Sequence, residues 1–157
     1  MSTEPATAEV AKPKFFLPDA ALVHHGHIDE DHRELIAILN GLLAQADQRD
    51  MLDGALFRDT LQRLVARFER HFREEEAAMA ALDYPDLAAH RQVHSSVMAR
   101  VVGTQRDTAN AAEVGAAEVH NLFNLALDDL LRADLGFKTY LAAPQPEDRI
   151  AASAARR

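Results

Sequence analysis

Residues 71–94 read HFREEEAAMAALDYPDLAAHRQVH, and this stretch decides the fold. His71, Glu75 and Met79 stand one helical turn apart and continue the line of Leu61, Leu64 and Phe68, flanked by Val65 and Phe72. After Tyr84-Pro85 a second line begins with Leu87, His90, His94, Val97 and Val101. Apolar residues at spacings of three and four mark the buried face of a helix. Here ionisable side chains occupy that face. The spacing predicts one helix over about 53–82 and another beginning just after Tyr84-Pro85, with Pro85 at a favourable first-turn position.

Working outward, Ile28, His32, Leu35, Leu39, Leu42 and Ala46 predict an earlier helix of the same kind. A last one follows from Val119, Phe123, Leu127, Leu130, Asp134, Phe137 and Leu141, with Asn110 and Glu113 at capping-box spacing before it. The expected connections, at about 47–52, 83–84 and 107–109, are short, so successive helices run antiparallel. The expected fold is all-α, an antiparallel up-down-up-down four-helix bundle over residues 15–141. Residues 1–14 and 142–157 carry no apolar period and read as a disordered N-terminal and a flexible C-terminal tail.

Composition agrees. Apolar residues make up 48% of the 157, with few glycines and prolines (six each) to interrupt helices. There is no cysteine, which excludes disulfides, thiolate metal sites and thiol catalysis. A net charge of −8 disfavours a nucleic-acid or anionic-membrane partner. No run is long and apolar enough for a membrane span, and the polar N-terminus is unlike a signal peptide, so a cytoplasmic location is expected.

The chemistry lies in the polar residues on the core stripes: His32, His71, Glu75, His90, His94 and Asp134. A single histidine on an apolar face is usually a satisfied core residue. Six ionisable groups facing inward from four helices are different, because each one buried without a partner costs several kcal/mol. A metal cluster satisfies them together. Imidazole and carboxylate without thiolate suit iron, manganese or zinc. Six ligands are too many for one tetrahedral zinc. Two six-coordinate irons bridged by carboxylate fit best, and manganese or a mixed pair uses the same donors.

These motifs resemble those of the bacteriohemerythrins and their hemerythrin-like relatives. GHIDEDH (26–32) is similar to the family's first-helix signature, HFREEEAAM (71–79) to the second and YPDLAAHRQVH (84–94) to the third. Phe15 or Phe16 stands where the family often has Trp. The resemblance implies that His32 and His71 bind one iron, His90 and His94 the other, and that Glu75 bridges them. In the fourth helix, DLLRADLGFKTYL (129–141) places Asp134 on the bridging Asp and Asp129 where the family has a fifth His. A second frame puts Asp134 on that His and Thr139 on the Asp, losing both the bridge and the Tyr140-Leu141 ending.

The resemblance implies a non-haem di-iron protein that binds dioxygen, or a related small diatomic ligand, for storage, delivery or sensing. Leu125 and Leu130 are expected to keep its pocket dry. Replacement of the fifth His by Asp129 favours an alternative, a di-iron redox enzyme such as a peroxidase, oxidase or nitric oxide reductase. His24, His25, His27 and His120 read as surface or loop residues. Arg58, Arg63, Arg67 and Arg70 read as an exposed face, and Glu74 and Glu76 as pointing outward.

Overall fold

The computed structural model describes residues 15–128 and 132–143. Among them the order is α1 (Gly26–Ala46), β1 (Met51–Asp53), α2 (Gly54–Ala81), α3 (Leu87–Asp107), β2 (Glu113–Gly115), α4 (Ala116–Asp128) and α5 (Asp134–Ala142). A 3₁₀ turn, Asp19–Ala21, precedes α1. Helix α1 packs on α2 and α4, and α3 packs on the same two, which closes the ring of a four-helix bundle. Helices α4 and α5 together make its fourth arm. No helix among the described residues is long and apolar enough to cross a membrane.

The buried faces of the first three helices are the expected ones, with Val65 and Leu87 only half-buried. Leu35, Leu39, Leu61, Leu64 and Phe68 are fully buried at one end of the bundle. A smaller apolar cluster, Val23, Ile28, Met79, Tyr84 and Phe137, closes the other end. Each helix therefore runs from one apolar layer to the other. On α1, His32 falls between Ile28 and Leu35. On α2, His71 and Glu75 fall between Phe68 and Met79. On α3, His90 and His94 fall between Leu87 and Val97. On the fourth arm, Asp134 falls between Ala126 and Phe137.

The structure corrects several expectations of detail. The expected capping box at Asn110 and Glu113 does not start a helix. Residues 113–115 instead pair antiparallel with 51–53, Leu52 opposite Val114. Both of those side chains are buried, so the ribbon lids the large apolar cluster. A helix begun at Asn110 would have carried Gly115 in its interior, where glycine is costly. The α2 N-terminus is capped by Asp53, whose carboxylate accepts from the Leu56 amide at 2.9 Å.

Pro85 lies just outside α3, which begins at Leu87. Before it, the chain leaves α2 through Asp83 at φ 52°. The Tyr84 amide donates to the Met79 carbonyl at 2.9 Å and the Asp83 amide to that of Ala80 at 3.2 Å. This is a Schellman termination, with Tyr84 packed over Met79.

The fourth arm is not one uninterrupted stripe. Val119, Leu122, Leu125 and Ala126 are buried in α4, with Phe123 and Leu127 only half-buried. Residues 132–133 form a wide π-type turn immediately before Asp134. Leu130 and Asp129 lie outside the described residues, as do most of the two expected tails. Helix α5 ends at Ala142.

The contact between ribbon and bundle is tight at Gly54, whose amide donates to the Ala112 carbonyl at 2.8 Å. A Cβ there would meet that carbonyl oxygen at 2.8 Å and the Ala111 oxygen more closely still. Gly54→Ala should therefore cost about 1–3 kcal/mol through overpacking. Gly41, in α1 with nothing near its missing Cβ, should gain about 0.5–1 kcal/mol on replacement by Ala. Urea unfolding of both variants checks the contrast, and an unchanged midpoint for Gly54→Ala would contradict the close approach.

Candidate metal centre

The bundle brings the six expected residues of α1, α2, α3 and α5 into one buried layer. All six are less than a tenth exposed, and His32, His71 and Glu75 are at 0%. Their donor atoms form two sets, His32, His71, Glu75 and Asp134, and Glu75, His90, His94 and Asp134. Within each set the atoms lie within 4.8 Å of one another. Glu75 and Asp134 belong to both.

The distances have the scale of a coordination sphere. His32 Nε2 is 3.1 Å from His71 Nε2 and 3.1 Å from Asp134 Oδ2. His90 Nε2 and His94 Nε2 are each 3.2 Å from Glu75 Oε2. Metal–imidazole bonds of roughly 2.1 Å place neighbouring ligand atoms at right angles roughly 3 Å apart. Asp134 turns its two oxygens to different sets, Oδ2 to His32 and Oδ1 to His90 at 3.6 Å. That is the disposition of a bridging carboxylate.

The protonation states fit the same chemistry. Burial, reinforced by the nearby His32, pushes His71 down from 6.5 to about 3, so its imidazole is neutral. Burial alone would raise Glu75. The imidazoles of His90 and His94 beside it outweigh burial and hold the carboxyl well below its usual range. A neutral imidazole beside an ionised carboxylate is the ligand state of both groups. Glu75 Oε1 is buried with no hydrogen-bond partner among the described residues, a costly arrangement unless a cation takes it. His94 Nδ1 is 2.8 Å from Glu76 Oε1. A carboxylate only accepts, so Nδ1 carries a proton, and in the neutral ring the Nε2 lone pair faces Glu75. A cation between Nε2 and Glu75 Oε2, 3.2 Å apart, would suit both atoms.

Behind the donors stand residues that the sequence reading misassigned or passed over. Glu76 does not point outward. It is partly buried, and Arg91 Nε donates to its Oε2 at 3.0 Å. Asp31 is buried and stands 4.0 Å from His71 Nδ1. Its charge is matched by Arg70, in direct contact, and by Arg67 at 3.7 Å. Arg67 also pairs with Glu34. Arg67 and Arg70 thus form a charged layer between α1 and α2, while Arg63 and Glu74 are exposed as expected. Arg58 reaches back to the Ala111 carbonyl at 2.7 Å. Asp29 is buried too, and its carboxylate accepts from the Val23 amide at 2.8 Å, which fixes the entry to α1.

The remaining histidines join neither donor set. His24 is exposed at φ 61°, His25 is half-buried at the N-cap of α1 and His27 is exposed. His120 is exposed beside Asp47 at 3.9 Å. Phe15 stacks edge-on against Phe123 and exchanges two backbone hydrogen bonds with the Asn40 side chain, while Phe16 is exposed.

Residues 24–135 match the Hemerythrin HHE cation binding domain family. The chain is 31% identical to a bacteriohemerythrin of Ralstonia nicotianae over 127 residues, 80% of this chain and 88% of that protein. It is 30% identical to a myohemerythrin of Theromyzon tessulatum over 83 residues, 53% of this chain and 62% of that protein's length. No solved structure matches at a comparable level.

The state of His71 and Glu75 sets a pH dependence for the metal-free chain. The unfolded chain takes up a proton at His71 below 6.5, and the folded chain excludes it down to about 3. Stability is therefore full above 6.5 and falls as pH drops through that window. Glu75 adds a loss of the same sign below its ordinary 4.5. The urea midpoint of metal-free protein should fall steadily from pH 7 towards pH 4. A flat profile across that range would place His71 in contact with water.

Proposed function

This chain belongs to the hemerythrin family, and from that premise we propose that it holds two iron ions and uses them to bind dioxygen or a related diatomic ligand. One observation carries the reading: two donor sets that share Glu75 and Asp134. In this reading His32 and His71 hold one ion, His90 and His94 hold the other, and the two carboxylates bridge. When bound, the ion pair would supply two electrons to dioxygen and recover them on release.

The chain's own contribution is to position donors and exclude water. The four imidazoles come from three long helices anchored in both apolar layers, so their directions are set before an ion arrives. Phe72 lies flat against His94, with ring centroids 3.8 Å apart. Phe68, Val97 and Leu125 on one side and Ile28, Met79 and Phe137 on the other are buried and apolar. They keep proton donors away from the bound ligand, which favours return of the electrons over irreversible reduction.

A second reading, a di-iron redox enzyme, has one observation in its favour. Among the described residues each donor set contains two imidazoles, and no third joins His90 and His94. The position where the family has its fifth histidine is Asp129, outside the described residues. Replacing a neutral ligand there by a carboxylate would favour ferric over ferrous iron, and leaving the place to water would open a second coordination position. Either change disfavours reversibility.

Anaerobic reduction of iron-loaded protein, followed by oxygen and then deoxygenation, separates the two readings. Visible absorption that appears with oxygen and disappears on its removal over several cycles supports a carrier. One-way conversion to the oxidised spectrum supports the enzyme. Asp129→His should increase the number of reversible cycles, and no change in spectrum or reactivity would remove Asp129 from the site. Glu75→Ala should lose both irons, since one side chain serves both, and full retention would contradict the assignment.

A further inference from the structure

We propose that Glu76 is a positioning residue that fixes the proton of His94 on Nδ1 and thereby strengthens the ion position bounded by His90 and His94. The inference rests on the two-ion reading and adds a residue to it. Glu76 follows the bridging Glu75, but about 100° further round α2, so its carboxylate leaves the core and meets α3 from the side. There it accepts from His94 Nδ1 at 2.8 Å. Arg91, one turn before Ser95 on the same helix, donates to the other oxygen at 3.0 Å and holds the carboxylate in place. The Phe72 ring, tilted only 13° from the imidazole, fixes the remaining freedom of the His94 ring.

Glu76, held by Arg91, and Phe72 thus act on the His94 ring, through a hydrogen bond, a charge and a stacked ring. The hydrogen bond selects the tautomer with its lone pair on Nε2, the atom that faces Glu75. The negative charge behind the ring makes that nitrogen a stronger donor, as outer carboxylates do for metal-bound histidines. The stacking sets the plane. On the opposite half of the layer the arrangement differs at His71. Its Nδ1 is 4.0 Å from Asp31, beyond hydrogen-bonding distance, and the charge of Asp31 is shared with Arg67 and Arg70. Glu76 should therefore act on one ion of the pair.

Cobalt(II) provides the test, because its visible absorption reports both affinity and coordination without any oxygen chemistry. The full-length chain is titrated anaerobically against a competing chelator as wild type, Glu76→Ala, Glu76→Gln and Arg91→Ala. The wild type should take up two equivalents. Glu76→Ala should bind one of them about 10- to 100-fold more weakly, with the other unchanged. In Glu76→Gln the amide oxygen still accepts from Nδ1 but carries no charge, so the loss should be smaller and confined to the same equivalent. Arg91→Ala should shift that equivalent in the same direction by less. Glu76 is partly exposed, so the helical circular dichroism of the metal-free variants should match the wild type. Wild-type affinity for both ions in Glu76→Ala, or equal weakening of both, would overturn the inference while leaving the two-ion reading intact. A wild-type chain that takes up fewer than two equivalents overturns the two-ion reading and the inference with it.

Discussion

Four imidazoles and two carboxylates buried in one layer are the constraint on which the molecule turns. Each of these groups has been taken out of water between two apolar layers, so each must find its partners within the protein. An isolated carboxylate at the position of Glu75 would be driven to its neutral form. Its imidazole neighbours instead hold it ionised, while burial holds His71 neutral. At His71 and Glu75 the layer thus holds the protonation states that a cation requires. Its cost falls on the metal-free fold, and ion binding would return it as folding stability.

The bundle serves this layer by geometry. Candidate ligands one turn apart on a helix, His71 with Glu75 and His90 with His94, arrive as pairs at one level. Helices α2 and α3 contribute two donors each, while α1 and α5 contribute one each, His32 and Asp134. The departures from regular helix are close to the site. The wide turn at 132–133 directly precedes Asp134, whose two oxygens face different histidines. The Schellman end of α2 carries Tyr84 back over Met79 beneath the layer, and Tyr140 Oη donates to the Leu82 carbonyl at 2.7 Å to hold α5 against that end.

Much of this is legible in the sequence, for a physical reason. A helical stripe is a local pattern, and a histidine or carboxylate on it is visible against the leucines around it, as at His32, His71 and Glu75. Three helices follow from that pattern, and so does the burial of His32, His71, Glu75, His90, His94 and Asp134 in one layer, while Asp129 lies outside the described residues. What a stripe does not report is where neighbouring helices place their flanks. Glu76 and Asp31 lie off the core line, and only the packing of α2 on α3 and of α1 on α2 shows that they face His94 and His71. The Glu76–Arg91 pair could have been suspected from opposite charges on adjacent helices, but many such pairs are solvent-exposed and without consequence. The ribbon was hidden for a different reason. Its strands are three residues long, and Leu52 and Val114 form their pattern only when paired across more than sixty residues of chain.

Anomalous diffraction at the iron edge, from crystals of the iron-loaded chain, tests the central claim most directly. Two peaks are expected, one bounded by His32 and His71 and the other by His90 and His94, with Glu75 and Asp134 between them. A single peak in the layer, or peaks only at the surface histidines His24 and His27, would contradict it.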